Sequence, residues 1–186
     1  MHIVQIDLTA MGISFKLTSH GGTQDTIHQT TLSYLNQENA QVAINCHFFS
    51  PVSSDTNVNL AGLAASQGNI YSPFEPQPIN TEYTDQSYAI LPYSPSLNID
   101  ADNHVDIVHR DCNYSDNKHI LEPVTLWNAI SGSAQIVTNG VRTIPTYSRT
   151  PSGLNPINGY SDSNSWYCRA KARTVVGLTQ DRNTLV

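Results

Sequence analysis

Three short constellations combine residue types that can do chemistry. Asn45-Cys46-His47-Phe48-Phe49 follows the apolar triplet Val42-Ala43-Ile44. It therefore stands where a short buried strand would end, and such ends present side chains to clefts. Asn45 brings amide donors and an acceptor, and His47 an acid/base group near neutral pH. Packing of Phe48 or Phe49 beneath the strand accounts for the segment equally well. A thiol nucleophile at Cys46 is disfavoured, because neighbours on a strand face opposite ways and His47 is badly placed to activate it. The second constellation, Ile130-Ser131-Gly132-Ser133, is small enough for a backbone or a ligand to approach closely; tight packing is its simpler reading. The third is Arg169-Ala170-Lys171-Ala172-Arg173-Thr174. Arg169 and Lys171 read as a solvated face. Arg173 opens an apolar stretch, where a guanidinium needs a partner and often serves as an anion fork.

The rest of the chain narrows the chemistry by what it lacks. There is no HExxH, GxSxG or P-loop pattern, and the carboxylates are dispersed. Asp100-Ala101-Asp102 resembles part of a calcium loop but lacks the glycine and distal glutamate of an EF-hand. A divalent ion is compatible with the Asp-rich loops, yet no ligand set can be named; no organic cofactor is implied. The net charge is −6, with nine Lys plus Arg and no basic run, so nucleic-acid binding driven by phosphate contacts is set aside. No stretch approaches the roughly 20 apolar residues of a membrane span. Met1 leads straight into a strand-like segment, so no signal peptide is expected in this chain. Cys46, Cys112 and Cys168 form no CxxC pair; they leave open one disulfide plus a free thiol, or none.

These groups must be positioned by a single domain of 186 residues, long enough to bury its own core. Charged residues are only 13%, and polarity rests on neutral groups, including 17 Asn, which suits a β-rich domain with hydrogen-bonding loops. The expected class is α+β, mostly strands and hairpins with long polar loops. Val4, Ile6 and Leu8, and then Ile13, Phe15 and Leu17, alternate as half-buried strands do. Residues 26–39 form the main helix candidate, with Ile27, Thr31, Tyr34 and Leu35 near one face and Thr26 as its cap. A second small helix is allowed near 122–129. Further strands are expected at 42–44, 63–66 and 70–71 (turned by Gly68-Asn69), 88–91, 105–108, 173–179 and from Thr184. The strongest hairpin signal is 134–137 with 141–144, because Asn139-Gly140 supplies the positive φ angles of a type I′ turn. Residues 50–125 and 145–165 read as loop-rich.

In order, Ile6-Asp7-Leu8, residues 43–49, Gly62 to Ser72, Ile130 to Gly140 and Ala172 to Thr179 resemble segments of the phosphodiester glycosidase domain. That family includes N-acetylglucosamine-1-phosphodiester α-N-acetylglucosaminidase, the uncovering enzyme, and bacterial relatives. The resemblance implies a glycosidase, a hydrolase that frees a sugar from a sugar-1-phosphodiester in a glycan or cell-surface polymer, in an extracytoplasmic setting. Arg173 would stabilise the charge developing on the departing phosphate, helped by Thr174. Asn45 would bond a sugar hydroxyl or phosphate oxygen, and His47 would serve as acid or base. Ser131, Gly132 and Ser133 would bring hydroxyls and backbone amides to the anion, with Phe48 beside the substrate.

The sequence departs from the family in two places. Cys46-His47 replaces the small residues, often Gly-Gly, that usually precede Phe-Phe. The Asp-Gly-Gly-Gly-Ser type motif that follows the last strand in relatives is absent from these residues. A C-terminally incomplete domain, completed by a further segment or a second chain, is one expectation. The other is a catalytically degenerate module that binds glycans on the same fold, with Tyr160, Trp166 and Tyr167 stacking on sugar rings. The glycosidase reading requires a cleft lined by Asn45, His47, Ser131, Gly132 and Arg173.

Overall fold

The computed structural model describes residues 2–50, 57–76, 92–144, 147–150, 153–156 and 172–186. The strand expected at 88–91, and the residues Tyr160, Trp166, Tyr167, Cys168, Arg169 and Lys171, lie outside them. The described residues are mostly β with one short helix, in keeping with the α+β expectation.

The chain opens with β1 (Ile6–Asp7) and β2 (Thr26–Ile27), followed by helix α1 (Thr31–Glu38). The helix is shorter than expected. Thr26 is no cap: it pairs with Val58 in a strand ladder. The cap is Thr30, whose side chain accepts from the amide of Ser33 at 3.1 Å, satisfying one of the donors a helix start leaves open. The helix stops on Asn39 in the left-handed region, a conformation Asn adopts more readily than most residues.

β3 (Phe48–Ser50) and β4 (Asn57–Ala61) pair antiparallel, and β2 adds to the other edge of β4, giving a three-stranded sheet β2-β4-β3. The main sheet has five strands. β5 (Ala64–Ser66) and β6 (Asn69–Ser72) form a hairpin, as expected, but its turn is Gln67-Gly68, one residue earlier than predicted. Both turn residues have positive φ, 50° and 81°, as a type I′ turn demands. β7 (Ser96–Ile99) and β8 (Val105–Val108) form a second hairpin, and β9 (Asn128–Ser131) bridges the two in the order β6-β5-β9-β7-β8. The helix allowed near 122–129 is absent; that stretch feeds β9, where Asn128 and Ala129 are buried among β5 and β7.

Asn139-Gly140 turns β10 (Val137–Thr138) into β11 (Val141–Arg142), with φ of 50° and 76°. A hairpin of β12 (Tyr147–Thr150) and β13 (Gly153–Pro156) occupies part of the stretch expected to be loop. β14 (Thr184–Leu185) pairs with β1. Residues 173–177 form no ladder strand, contrary to expectation; the end of the stretch carries paired backbone bonds between Gly177 and Val186 and a bridge from Leu178 to Leu185. The triplet 42–44 is likewise not a buried strand: Val42 and Ile44 are each 51% exposed.

Residues 13–19 form no strand either, and the reason is visible in their carbonyls. Ile13, Phe15, Thr18 and Ser19 carbonyls accept from Asn103 Nδ2, Asn128 Nδ2, Tyr71 Oη and Thr26 Oγ1, at 2.9, 3.2, 2.9 and 3.0 Å. Side chains from β2, β6, β9 and the β7–β8 turn replace a ladder and hold the segment against the sheet. Two apolar clusters form the core. Leu63, Ala65, Phe74, Val108 and Ala129 fill one; Leu8, Ile99, Val105 and Leu185 fill the other.

Candidate functional site

The segment carrying Asn45 meets the segment carrying Arg173. Thr174 Oγ1 donates to Asn45 Oδ1 at 2.8 Å across a sequence separation of 129 residues, and both residues are exposed. With its carbonyl oxygen so engaged, the Asn45 amide nitrogen remains a donor group. Arg173, the residue before Thr174 in the chain, is half-buried.

His47 lies two residues further on and reaches the other side of the site. The backbone amide of Ser131 donates to His47 Nε2 at 2.9 Å. An amide is always a donor, so Nε2 accepts and the neutral ring carries its proton on Nδ1. The Leu63 carbonyl also lies 3.1 Å from Nε2, but its donor is the Ser131 hydroxyl, at 3.0 Å. Because Ser131 Oγ donates to Leu63, the buried Ser96 hydroxyl donates to Ser131 Oγ, at 2.5 Å. Burial pushes the His47 pKa down to about 4, against smaller upward pulls from the Leu63 carbonyl and Asp25. At neutral pH His47 is an uncharged acceptor with its Nε2 lone pair taken. The geometry makes His47 a clamp on Ser131.

Ser131 is in turn a fully buried residue rather than one facing open solvent. A Cβ placed on Gly62 would come within 2.6 Å of Ser131 Cβ, so the close approach expected in this region occurs at Gly62. Gly132 has nothing within 4 Å of such an atom, which leaves its backbone open to approach. Gly132 and Ser133 are both half-buried. Phe48 sits in β3 opposite Ala61 and is half-buried. Burial raises the Cys46 thiol to about 11, so it is not a thiolate at neutral pH. Cys46 and Cys112 carry free thiols.

Asp100, the residue that suggested a calcium loop, is occupied within the β7–β8 turn. Its carboxylate accepts from the amides of Asp102 and His104 and faces the His104 ring at 3.0 Å. No group of three or more metal-ligating side chains forms among the described residues.

Sequence reasoning missed several members of this neighbourhood. Ser96 lies in a stretch read as loop. Asp25 accepts from the amide of Leu60 at 2.8 Å. Tyr34 was read only as part of a helix face, yet its spacing to Gln37 and Glu38 marks one helical surface, and that signal was available. Comparison with family models, with curated proteins and with solved structures gives no match to this chain.

Proposed function

We propose that this protein hydrolyses a sugar-1-phosphodiester, with Arg173, Thr174 and Asn45 forming the phosphate-binding side of the site. The observation that carries this reading is the bond from Thr174 to Asn45. It joins the exposed Thr174 hydroxyl to the exposed Asn45 carboxamide, one residue along the chain from the half-buried Arg173. In the reaction the bond between the anomeric carbon and a phosphate oxygen breaks, water adds to the anomeric carbon, and the phosphate leaves as a monoester. Charge grows on the leaving oxygen, and the guanidinium favours that growth. His47 acts through another residue: it fixes the Ser131 amide and, with it, the start of the Ser131-Gly132-Ser133 backbone.

The test is release of methyl phosphate from a methyl phosphodiester of N-acetylglucosamine, or of uridine diphosphate from a uridine-diphospho-sugar. Arg173→Ala is expected to lower kcat/KM about 100-fold or more, and Asn45→Ala about tenfold. Turnover unchanged in Arg173→Ala would overturn the assignment. A second reading, a glycan-binding module without catalysis, draws support from the neutral His47 with its lone pair already engaged. Retention of the sugar phosphodiester without turnover would select it.

A further inference from the structure

β14 is paired on both sides. On one side Ile6 stands opposite Leu185 and Asp7 opposite Thr184. On the other, Gly177 and Val186 exchange backbone bonds at 2.7 and 2.8 Å, and Leu178 bridges to Leu185. Both neighbours run antiparallel to β14. Continuing the two registers by one residue sets Val4 and Val176 on either side of the first position past Val186. Continuing them by two sets Ile3 and Val175 on either side of the next. Among the described residues, no backbone hydrogen bond outside the strand ladders reaches residues 2–5 or 174–176. The two edges thus bound a lane one strand wide, with unpaired N–H and C=O groups along both sides.

The side chains along this lane are apolar on both faces. Residues two apart share a face of a sheet. Val176 therefore stands on the face of Leu178 and Leu185, and it packs against the core cluster of Leu8, Ile99, Val105 and Leu185. Val4 belongs to the same face as Ile6, yet it is 44% exposed. On the opposite face Ile3 and Val175 are 62% and 63% exposed.

This pattern selects the chemistry of an occupant. An unpaired strand edge is a template for another strand. Two edges one strand apart call for donors and acceptors on both sides of the guest, which extended polypeptide supplies. A helix bonds its own backbone internally. An apolar small molecule would leave the backbone groups of the edges unpaired. A second copy of this chain cannot offer its β14, which is already paired on both sides.

We infer that the lane between residues 3–5 and 174–176 is a strand-addition site for an extended, apolar, β-branched segment of a different polypeptide, running in line with β14 and antiparallel to both edges. The inference does not rest on the phosphodiester reading, since it involves no bond cleavage.

The register makes the test specific. Leu8 donates to Asn183, and Gly177 to Val186; antiparallel pairs alternate, so Val4 and Val175 aim their amides into the lane while Ile3 and Val176 aim theirs away. The test adds an end-blocked peptide of alternating valine and threonine to the full chain, with a proline-interrupted version as control, and follows backbone amides by NMR. The expected result is saturable binding that slows hydrogen exchange about tenfold or more at Val4 and Val175 together, with Ile3 and Val176 exchanging as before. The control peptide should protect neither pair. Val175→Pro removes one lane donor and should weaken binding about tenfold, and Val4→Pro should do the same from the other edge. The pattern in the parent protein decides the matter even where a proline variant fails to fold. Absence of protection at millimolar peptide would overturn the inference, as would protection of one edge alone or of all four amides equally. So would dimerisation that protects Val4 and Val175 without peptide, which would make a second copy the occupant.

Discussion

At the scale of single residues, His47 shows how burial converts a reactive type into a structural one. With its Nε2 held by the Ser131 amide and a folded pKa near 4 against an ordinary 6.5, the folded protein binds fewer protons than the unfolded chain between those values. Stability therefore falls as pH drops from about 6.5 to about 4, by up to ~3 kcal/mol, and the loss is complete below that. Urea unfolding at stepped pH should show this slope, and His47→Gln, which retains an acceptor but does not titrate, should flatten it. Asp100 and Glu122 act in a lower window. Burial pushes both carboxyls upward, but the hydrogen bonds from His104 and Asp102 to the one, and from His109 to the other, prevail and hold them below their ordinary values. Their contribution is present above about 4.5 and fades as pH falls through the lowered values, so the two effects separate along the pH axis.

At the scale of elements, the contact between the loop after β4 and the end of β9 sets the site. Gly62 has φ of 99°, and Ser131 stands where its side chain would be. Gly62→Ala adds both backbone strain and a collision with a fully buried neighbour. It is expected to lower stability by about 2–4 kcal/mol in chemical denaturation. A companion Ser131→Gly change should relieve the collision but not the strain, recovering only part of the loss. The elements whose type was legible are those decided by local chemistry. Asn139-Gly140 makes its hairpin because two adjacent residues tolerate positive φ. The β5–β6 hairpin formed where its strands were read, with the turn displaced by one residue because Gln67 rather than Asn69 takes the left-handed position. The helix was legible in its second half only, since its expected first turn was claimed by the pairing of Thr26 with Val58.

At the scale of the whole molecule, β14 returns to β1, and Leu185 is buried with Leu8, Ile99 and Val105. One residue thus ties residues 178–186 to the opening strand and to the far edge of the main sheet. Leu185→Ala is expected to destabilise the fold by about 2–4 kcal/mol, measured as a shift in the urea midpoint without a change in slope. The ion pair across this region, Arg182 with Asp106, is exposed on the arginine side and contributes little by comparison.

The sequence by itself determined the β-rich class, the Asn-Gly hairpin and the β8 and β14 strands. It also marked Asn45 and Ser131 as residues to watch. Each of these follows from a short-range rule: side-chain period, turn stereochemistry, or the donor and acceptor groups a residue type carries. Only the tertiary structure decided that Thr174 reaches Asn45, that Ser96, Ser131 and Leu63 line up behind His47, and that residues 13–19 are held by side chains instead of a neighbouring strand. It also turned residues 42–44 and 173–177 from expected strands into stretches outside any ladder. The physical reason is common to all of these. A hydrogen-bonding group carries no record of which distant partner will meet it, and pKa depends on how much water that meeting removes.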